Sequence, residues 1–389
     1  MDKRVYMLTV MAFIVGMAEL IIGGILDVIA NDLDITVSEA GHLITIFALT
    51  FAIAPPILLV LFAKVERTQL TFIALIIFLI GISIAIFSSS FSLLMLSRII
   101  SAASGSLIVV LCINLASNIV EPAFRGRAIG LVVMGTSGSL VLGLPIGVLL
   151  GNIFHWRAPF ILIAVLSLFL LFGVKLLMGK VEPRPVLPLK TQIATLKNNK
   201  ILFAHFTTFF FLAGHFTFYA FLTPYAKNII GFSATTISIL YFIYGIAAVS
   251  GGGLSGAFAD KFGVRRTLLS AILLLAVSLF LLPYSINFLP VFWLIVVVWG
   301  ILSWAITPPI QSHLYEIANE TADVQQSLNN SALHLGIAFG TFCGSLVVQY
   351  SSIENNAHVG IIFVILAFMT ASVTLHTKHK KLKQQLMNE

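Results

Sequence analysis

The amino-acid sequence repeats one feature from end to end: apolar runs of about 20 residues, joined by short polar connections. A helix of that length crosses a hydrocarbon layer of about 30 Å. We place twelve such runs at residues 5–29, 41–62, 69–88, 92–117, 127–151, 158–178, 201–225, 235–258, 267–286, 290–314, 325–349 and 359–376. With 59% hydrophobic and only 10% charged residues, the composition lies outside the range of soluble domains. The sequence therefore predicts an all-α polytopic membrane protein with twelve transmembrane helices.

Positive charge is distributed unevenly between the two sides of such a bundle. With an even number of spans, both termini lie on one side, and that side holds most of the lysines and arginines. The connections on the opposite side hold only Arg157 and Lys227. The positive-inside rule then predicts cytoplasmic termini. The net charge of +7 thus reflects orientation in a bilayer, and nucleic acid is not an expected partner.

One long polar connection divides the twelve runs into six and six, and the halves share internal repeats. Residues 62–67 align with residues 258–265. Three glycines of the fifth run recur 193 residues later in the eleventh: Gly143, Gly147 and Gly151 align with Gly336, Gly340 and Gly344. The predicted domains are a bundle over 1–178, a cytoplasmic loop over 179–200, a second bundle over 201–376 and a basic tail over 377–389. Repeats of this kind are typical of transporters that rock around a site at mid-membrane.

Three motifs carry a resemblance to a known family. Residues 256–266, between the eighth and ninth runs, resemble the loop signature of the major facilitator superfamily. The Gly-Leu-Pro-Ile-Gly of residues 143–147 resembles its antiporter motif, and Arg98 with Gly105 resembles its motif in the fourth helix. Over essentially its whole length the chain is similar to the twelve-helix drug:proton antiporters that include bacterial sugar and arabinose efflux permeases. The resemblance implies two pseudo-symmetric six-helix bundles and alternating access.

Several positions depart from the pattern of that branch. Asp27 stands where the branch usually has proline, and His334 stands where it often has asparagine. The loop of the first half lacks the acid found at Asp260 in the second half, and has Lys64 and Glu66 nearby instead. These departures indicate that a specialised substrate should be considered.

Two acids in the first run are candidates for proton coupling. Glu19 lies near the middle of the run, where a carboxylate is costly, and at about 100° per residue it shares a polar stripe with Asp27. A carboxyl that alternates between wet and dry surroundings exchanges its proton as a transporter turns. The alternative for Glu19 is a hydrogen bond that locks helix packing. Asp27 lies nearer the outer face, where it either takes part directly or is simply solvated.

Arg98 is the only basic residue deep inside a run. A guanidinium keeps its proton and must find carboxylate, carbonyl or water partners. The resemblance implies that Arg98 tunes the proton affinity of a nearby acid. The alternative is an arginine that snorkels to the outer interface and only anchors the fourth helix.

The seventh and eleventh runs carry candidate substrate-binding residues. In the eleventh, Asn330 and His334 share a polar face, whereas Gly336 and Gly340 lie on another face suited to close helix packing. His334 either binds substrate or shares in proton transfer, unless it is an interhelical structural histidine. In the seventh, His215 and Tyr219 belong to a polar and aromatic stripe that lines a cavity or packs in the core.

Two segments are candidates for gating the conformational change. Gly143, Pro145 and Gly147 let the fifth helix bend and pack closely between the halves, although ordinary small-residue packing gives the same pattern. Asp260 and Arg265 lie on the loop after the eighth helix, where they can pair by charge and interact with helix ends.

The expected function is export of a small organic compound by proton antiport, with a proton gradient as the energy source and no cofactor. The chain has no phosphate-binding loop, which argues against direct coupling to ATP. A proton-coupled importer or an uncoupled facilitator remains open, and a multispanning enzyme is a distant alternative because the nine histidines are scattered. The expected partners are a small-molecule substrate, protons and lipid, with the protein acting as a monomer. A cationic substrate would favour Glu19 as counter-ion, whereas a neutral sugar would favour the Asn, Gln and His side chains.

Overall fold

The computed structural model describes residues 2–121, 124–182, 188–318 and 321–376, and the predicted basic tail lies outside them. Twelve helices in these ranges are long and apolar enough to cross a membrane, so the all-α prediction of twelve spans is confirmed. We number them span 1 to span 12 in chain order: Lys3–Gly24, Val37–Leu61, Arg67–Phe87, Phe91–Asn118, Arg125–Ile153, Ala158–Leu177, Asn199–Ile230, Ala234–Phe262, Val264–Ser285, Leu289–Ile317, Val324–Tyr350 and Asn355–Leu375. The side with the start of span 1 and the end of span 12 is called the terminal side below, and the other the far side.

The first apolar run is not the single straight helix expected from its sequence. Span 1 ends at Gly24, and a separate helix, Leu26–Asp32, follows on the far side. Ile25 between them has φ −126° and ψ 19°, outside the helical region. Two consecutive glycines at the end of span 1 lower the helix propensity there by about 1 kcal/mol each. Glu19 and Asp27 therefore lie on different helices, and the predicted continuous polar stripe is wrong beyond Gly24.

Span 5 contains a widened turn at its glycine- and proline-rich centre. The helix Arg125–Gly138 continues as a π-turn over Ser139–Gly143 and then as the helix Leu144–Ile153. Pro145 lies in the first turn of the last segment, where a missing N–H is tolerated. Single π-turns inside α-helices are a recognised cause of bends and are frequent at functional sites.

The glycine face of span 11 packs against span 7, as its spacing predicts. A Cβ atom at Gly336 would overlap the carbonyl oxygen of Phe209, and one at Gly340 would overlap that of Ala213. Only glycine lets the two backbones approach this closely, which is the usual basis of close helix crossings in membranes. The polar face of span 11 is thereby turned away from span 7.

On the far side, Asp32 ties together the ends of several spans in the first half. Its carboxylate accepts hydrogen bonds from Trp156 Nε1 at 2.7 Å and from the Arg157 guanidinium at 3.1 Å. Arg157 also donates to the carbonyl oxygen of Ser88 at 2.6 Å. The hydrogen bond from Trp156, followed by that from Arg157, holds the pKa of Asp32 below its ordinary value.

On the terminal side, Glu66 binds the first residues of the long connection. Its carboxylate caps span 3 by accepting from the main-chain N–H groups of Thr68 and Gln69, and it accepts a third bond from Val181 N at 2.7 Å. Burial by itself would raise the pKa of Glu66, but the Val181, Thr68 and Gln69 donors hold it below its ordinary value. The first-half loop lacks a counterpart of Asp260, and the nearby Glu66 has a capping and docking role.

Candidate functional site

A small cavity lies between spans 1 and 2 of the first half and spans 7 and 11 of the second. It is lined by Glu19, Leu20, Gly23, Ile44, Phe47, Ala48, Phe216, Tyr219, Ala220 and Ile337. Its volume of about 20 Å³ leaves room for one water molecule. Of these lining residues, only Glu19 and Tyr219 carry a polar side chain.

Glu19 and His334 meet across the two halves. Glu19 Oε1 lies 3.4 Å from His334 Nδ1, with 22% of the Glu19 side chain and 8% of the His334 side chain exposed. Nδ1 has no hydrogen-bond partner in the described part of the chain, so the two groups are close without forming a bond of good geometry. Either group can gain or lose a proton, and a protonated imidazole would pair with the carboxylate.

Arg98 is fully buried and bonds to main-chain carbonyls. Its guanidinium donates to the carbonyl oxygens of Ala18 at 2.7 Å, Glu19 at 3.4 Å and Leu43 at 3.4 Å, and lies 3.9 Å from the centre of the Phe47 ring. Arg98 therefore does not snorkel to an interface. It joins span 4 to spans 1 and 2 and fixes the backbone of Glu19, not its carboxylate.

His215 lies behind the cavity, in the core of the second half. Trp299 donates its indole N–H to His215 Nδ1 at 3.2 Å, and the indole nitrogen has no acceptor capacity. Nδ1 must therefore be the unprotonated nitrogen, and Nε2–H donates to the Tyr244 hydroxyl at 3.0 Å. Of the two residues predicted to bind substrate on span 7, only Tyr219 lines the cavity. The His215 ring stacks on the Tyr219 ring, with 5.1 Å between the ring centres.

Other polar residues of span 11 lie in different surroundings. Asn330, a predicted substrate ligand, is exposed and does not line the cavity. Asn329, which the sequence argument missed, is buried and bonds to His205 Nδ1 at 3.3 Å and to Thr208 Oγ1 at 2.8 Å. Gln325, one turn earlier, bonds to His205 Nε2 at 3.0 Å. The signal that could have found this network is the i, i+4 spacing of Gln325 and Asn329.

Asp27 forms an ion pair between the two halves on the far side. Its Oδ2 lies 2.5 Å from Lys227 Nζ, at the far end of span 7, while the other oxygen, Oδ1, is buried without a hydrogen bond in the described residues. Only 8% of the Asp27 side chain is exposed, against 45% for Lys227. The alternative that Asp27 is simply solvated is therefore wrong.

The predicted gating residues of span 5 contact two different partners. Gly143 and Gly147 face Met17 and Ile21 of span 1, so these glycines serve packing within the first half. The contact with the second half is made by Pro145, whose carbonyl oxygen accepts a 3.0 Å hydrogen bond from Ser238 of span 8.

The expected pairing of Asp260 with a nearby arginine is not found. Asp260 and Arg265 are both exposed, and Asp260 forms no ion pair within the described ranges. Gly263 between them has φ +86°, a conformation that suits glycine and turns the chain from span 8 into span 9.

Contacts between the halves are found on the far side and near mid-membrane. Ser38 of span 2 donates to the carbonyl oxygen of Ser345 at 2.8 Å. Ser331 donates to that of Ala52 at 2.9 Å, and this carbonyl is free because Pro56, four residues later, has no N–H to offer. Both hydrogen bonds join span 2 of the first half to span 11 of the second.

Twelve spans in two bundles, with a cavity between the halves at mid-membrane depth, define a membrane transporter of small solutes. Comparison with known proteins gives the family. The model of the Major Facilitator Superfamily matches residues 8–341, and again residues 204–388. The chain belongs to the Major Facilitator Superfamily, and it is a transporter rather than an enzyme.

Two relatives illustrate what the chain is similar to. It is 32% identical over 378 residues to the "Uncharacterized MFS-type transporter YbcL" of Bacillus subtilis (strain 168), covering 97% of each chain. It is 25% identical over 376 residues to the "Probable sugar efflux transporter" of Helicobacter pylori (strain P12), covering 96% of each.

Solved structures share the fold at low sequence identity. A bacterial homolog of the human lysosomal transporter Spinster, in an inward-facing and occupied conformation, superposes with a TM-score of 0.79 at 15% identity and 97% coverage of both chains. A D-xylose-proton symporter superposes with a TM-score of 0.77 at 15% identity and 96% coverage of both.

Proposed function

We propose that this transporter exports a small organic compound in exchange for protons, with the bundles 1–178 and 201–376 rocking around the mid-membrane cavity. The observation that carries the proposal is Glu19, the only acidic residue that lines the cavity between the halves. A carboxyl at that position meets water or protein as the halves move, and it can take up a proton in one state and release it in the other. Both termini would lie in the cytoplasm of a bacterium, as the charge distribution favours.

Arg98 and His334 would act on the same carboxyl from opposite halves. Arg98 holds the main chain at Ala18 and Glu19, so the turn of span 1 that carries the carboxyl is fixed relative to span 4. His334 approaches from span 11, and its distance to Glu19 changes whenever the halves move. Proton uptake by Glu19 is thereby linked to the relative position of the two halves.

Asp27 and Lys227 would act as a far-side latch in this cycle. Their ion pair joins the helix after span 1 to span 7. Opening the cavity toward the far side requires the pair to separate. On the terminal side, Asp260 and Arg265 of the second half would pair by charge and interact with helix ends when that side closes.

A proton-coupled importer, or a facilitator without coupling, is the second candidate. The name of the Helicobacter pylori relative specifies efflux, whereas one structural neighbour is a symporter. Both modes use the same spans and the same carboxyl, so direction must be measured.

Everted membrane vesicles with an imposed acid interior test the proposal. We expect accumulation of the exported compound from a chemical panel, and its collapse when the pH gradient is dissipated. Glu19→Gln keeps the size and hydrogen-bonding capacity of the side chain but cannot carry a proton, so it should abolish this accumulation. Glu39→Gln is the matched control, because Glu39 is an exposed acid in the capping box of span 2.

Undiminished gradient-driven accumulation by the Glu19→Gln variant would rule out Glu19 as the proton carrier. Accumulation that needs an alkaline interior would instead identify an importer. Equilibration that ignores the gradient would identify a facilitator.

A further inference from the structure

The cavity walls present one acidic group and one phenolic hydroxyl in an otherwise apolar surface. Glu19 comes from span 1 and Tyr219 from span 7, so each half supplies one polar group. The other lining side chains are aliphatic or aromatic. Such a cavity selects ligands through few polar contacts and much apolar packing.

The carboxylate of Glu19 has no firm partner in this conformation. No hydrogen bond to it is found in the described part of the chain, and the nearest basic nitrogen, His334 Nδ1, is 3.4 Å away and out of bonding geometry. An ionised carboxylate in an apolar cavity needs a cation or strong donors to offset its lost hydration. A proton meets that need, and so does an organic ammonium group.

Arg98 does not turn this cavity into an anion site. Its guanidinium is committed to three carbonyl oxygens and stacks on Phe47, and Phe47 itself lines the cavity while Arg98 does not. The Phe47 ring therefore separates the arginine from a bound ligand.

The wall formed by the second half is aromatic and rigidly backed. The Tyr219 ring stacks on His215 and lies 5.3 Å from Phe216, while His215 is held by Trp299 and Tyr244. The Tyr219 hydroxyl is buried and has no hydrogen-bond partner in the described residues. Buried hydroxyls are nearly always bonded, so this hydroxyl is left with an unmet hydrogen bond in the wall of the cavity.

We propose that the cavity binds a small organic ammonium ion with a compact ring-bearing body. The ammonium group pairs with the Glu19 carboxylate, the ring packs against Tyr219 and Phe216, and a polar substituent on the ring bonds to the Tyr219 hydroxyl. Aromatic faces next to a carboxylate favour cations over neutral ligands. The space, now sufficient for one water, must widen as the halves move.

A neutral sugar fits these walls less well. Its several hydroxyls would need several polar partners, and the amides of Asn330 and Gln311 are exposed and do not line the cavity. The proposal rests on the proposed function, because proton and ammonium would then compete for one carboxylate and their exchange would follow.

Binding of a charge series to the purified full-length protein tests the inference without requiring transport. The probes are 2-phenylethylamine, 2-phenylethanol and 3-phenylpropionate, which share a phenyl ring and differ in charge, together with tyramine and D-xylose. Affinities are measured by calorimetry at about pH 8, where aliphatic amines are protonated. We expect the amine to bind at least about tenfold more tightly than the alcohol, with the carboxylate and D-xylose weaker still.

Two variants assign the contacts. Glu19→Gln should remove the preference for the amine over the alcohol, with an unchanged melting temperature as the check on folding. Tyr219→Phe should lower the affinity for tyramine by about fivefold and leave the affinity for 2-phenylethylamine unchanged, because only tyramine has the second polar group. Tyr241→Phe is the matched control: its hydroxyl is bonded to Thr223 at 2.9 Å, so its loss should not alter the difference between the two amines.

Tighter binding of D-xylose or of 3-phenylpropionate than of the amine would overturn the inference. So would an amine preference that survives Glu19→Gln, or the absence of saturable amine binding up to about 10 mM. Each of these results leaves the vesicle test of proton exchange intact, so failure of the substrate class can be told from failure of the proposed function.

Discussion

Asp27 and Asp32 lie five residues apart on one short helix, yet their carboxylates join different parts of the molecule. Asp32 bonds to Trp156 and Arg157, which belong to the same half. Asp27 pairs with Lys227, which belongs to the other half. Asp32 is exposed and has several partners, whereas Asp27 is buried and has one oxygen unpaired in the described residues.

The difference separates two kinds of contact in a transporter. A contact within one half is kept in every conformation, so it contributes to the free energy of unfolding. A contact between the halves exists in only some conformations, so it shifts the equilibrium among them. The same chemistry thus stabilises the fold in one place and biases its motion in another.

The largest effect is expected where two backbones of one half pack closely against each other. Gly340→Leu places a side chain against the carbonyl of Ala213, and overpacking of this kind should lower the free energy of unfolding by about 3 kcal/mol. Thermal unfolding of the purified protein measures it. Gly253→Leu is the matched control because a Cβ at Gly253 meets open space. Equal melting temperatures for the two variants would contradict the packing of span 11 on span 7.

A smaller effect, of a different kind, is expected for the pair between the halves. Asp27→Asn or Lys227→Gln should favour separation on the far side by about 1 kcal/mol, or about fivefold in the ratio of conformations, because Lys227 is partly solvated. Distances between spin labels on the far-side ends of the two halves measure this ratio. The exchanged pair Asp27→Lys with Lys227→Asp should restore it.

The comparison between the two aspartates would fail if Asp27→Asn lowered the melting temperature as much as Gly340→Leu while the distance distribution stayed the same. The pair would then belong to the fold and not to the motion.

The smallest effect is expected at Asp32. Asp32→Asn keeps an acceptor for Trp156 but loses the charge that pairs with Arg157, which should cost about 0.5 kcal/mol of stability at neutral pH. Because the pKa of Asp32 is lowered in the folded state, its contribution is present above the ordinary aspartate pKa of about 3.9 and is lost as the pH falls through the lower folded value. Melting temperatures of the two proteins should therefore converge in acid. A difference in melting temperature that grows as the pH falls would contradict a stabilising role for the ionised Asp32.

The fold followed from the apolar runs, because a stretch that must satisfy its backbone inside lipid has few alternatives to a helix. The break at Ile25 and the π-turn of span 5 could not be predicted from these runs. Gly23 and Gly24 lower the helix propensity before Ile25, but glycine is frequent in transmembrane helices, so these residues did not by themselves indicate a break. Only the cluster of glycines before Pro145 indicated an irregularity in span 5, where the π-turn lies.

The site was predictable where a residue was costly in its surroundings. Glu19 and Arg98 were identified because charges inside apolar runs are rare, and Tyr219 because of its aromatic stripe. The contacts between the two halves were not predictable. Lys227 is 200 residues from Asp27, and only the packing of the halves brings them together. That packing also separates Tyr219, at the cavity, from His215 behind it, although both lie on one predicted face.

The docking of Val181 on Glu66 sets an upper limit on how far the two halves can move apart on the terminal side. Beyond Val181 the chain has eight residues to reach Leu189, where the helix Leu189–Ala194 begins, and a chain of that length spans at most about 29 Å. The next residue, Thr195, accepts a 2.9 Å hydrogen bond from Gln325 of span 11. The connection is therefore a tether of defined maximum reach, and a wider opening would first require Val181 to separate from Glu66 and Arg67.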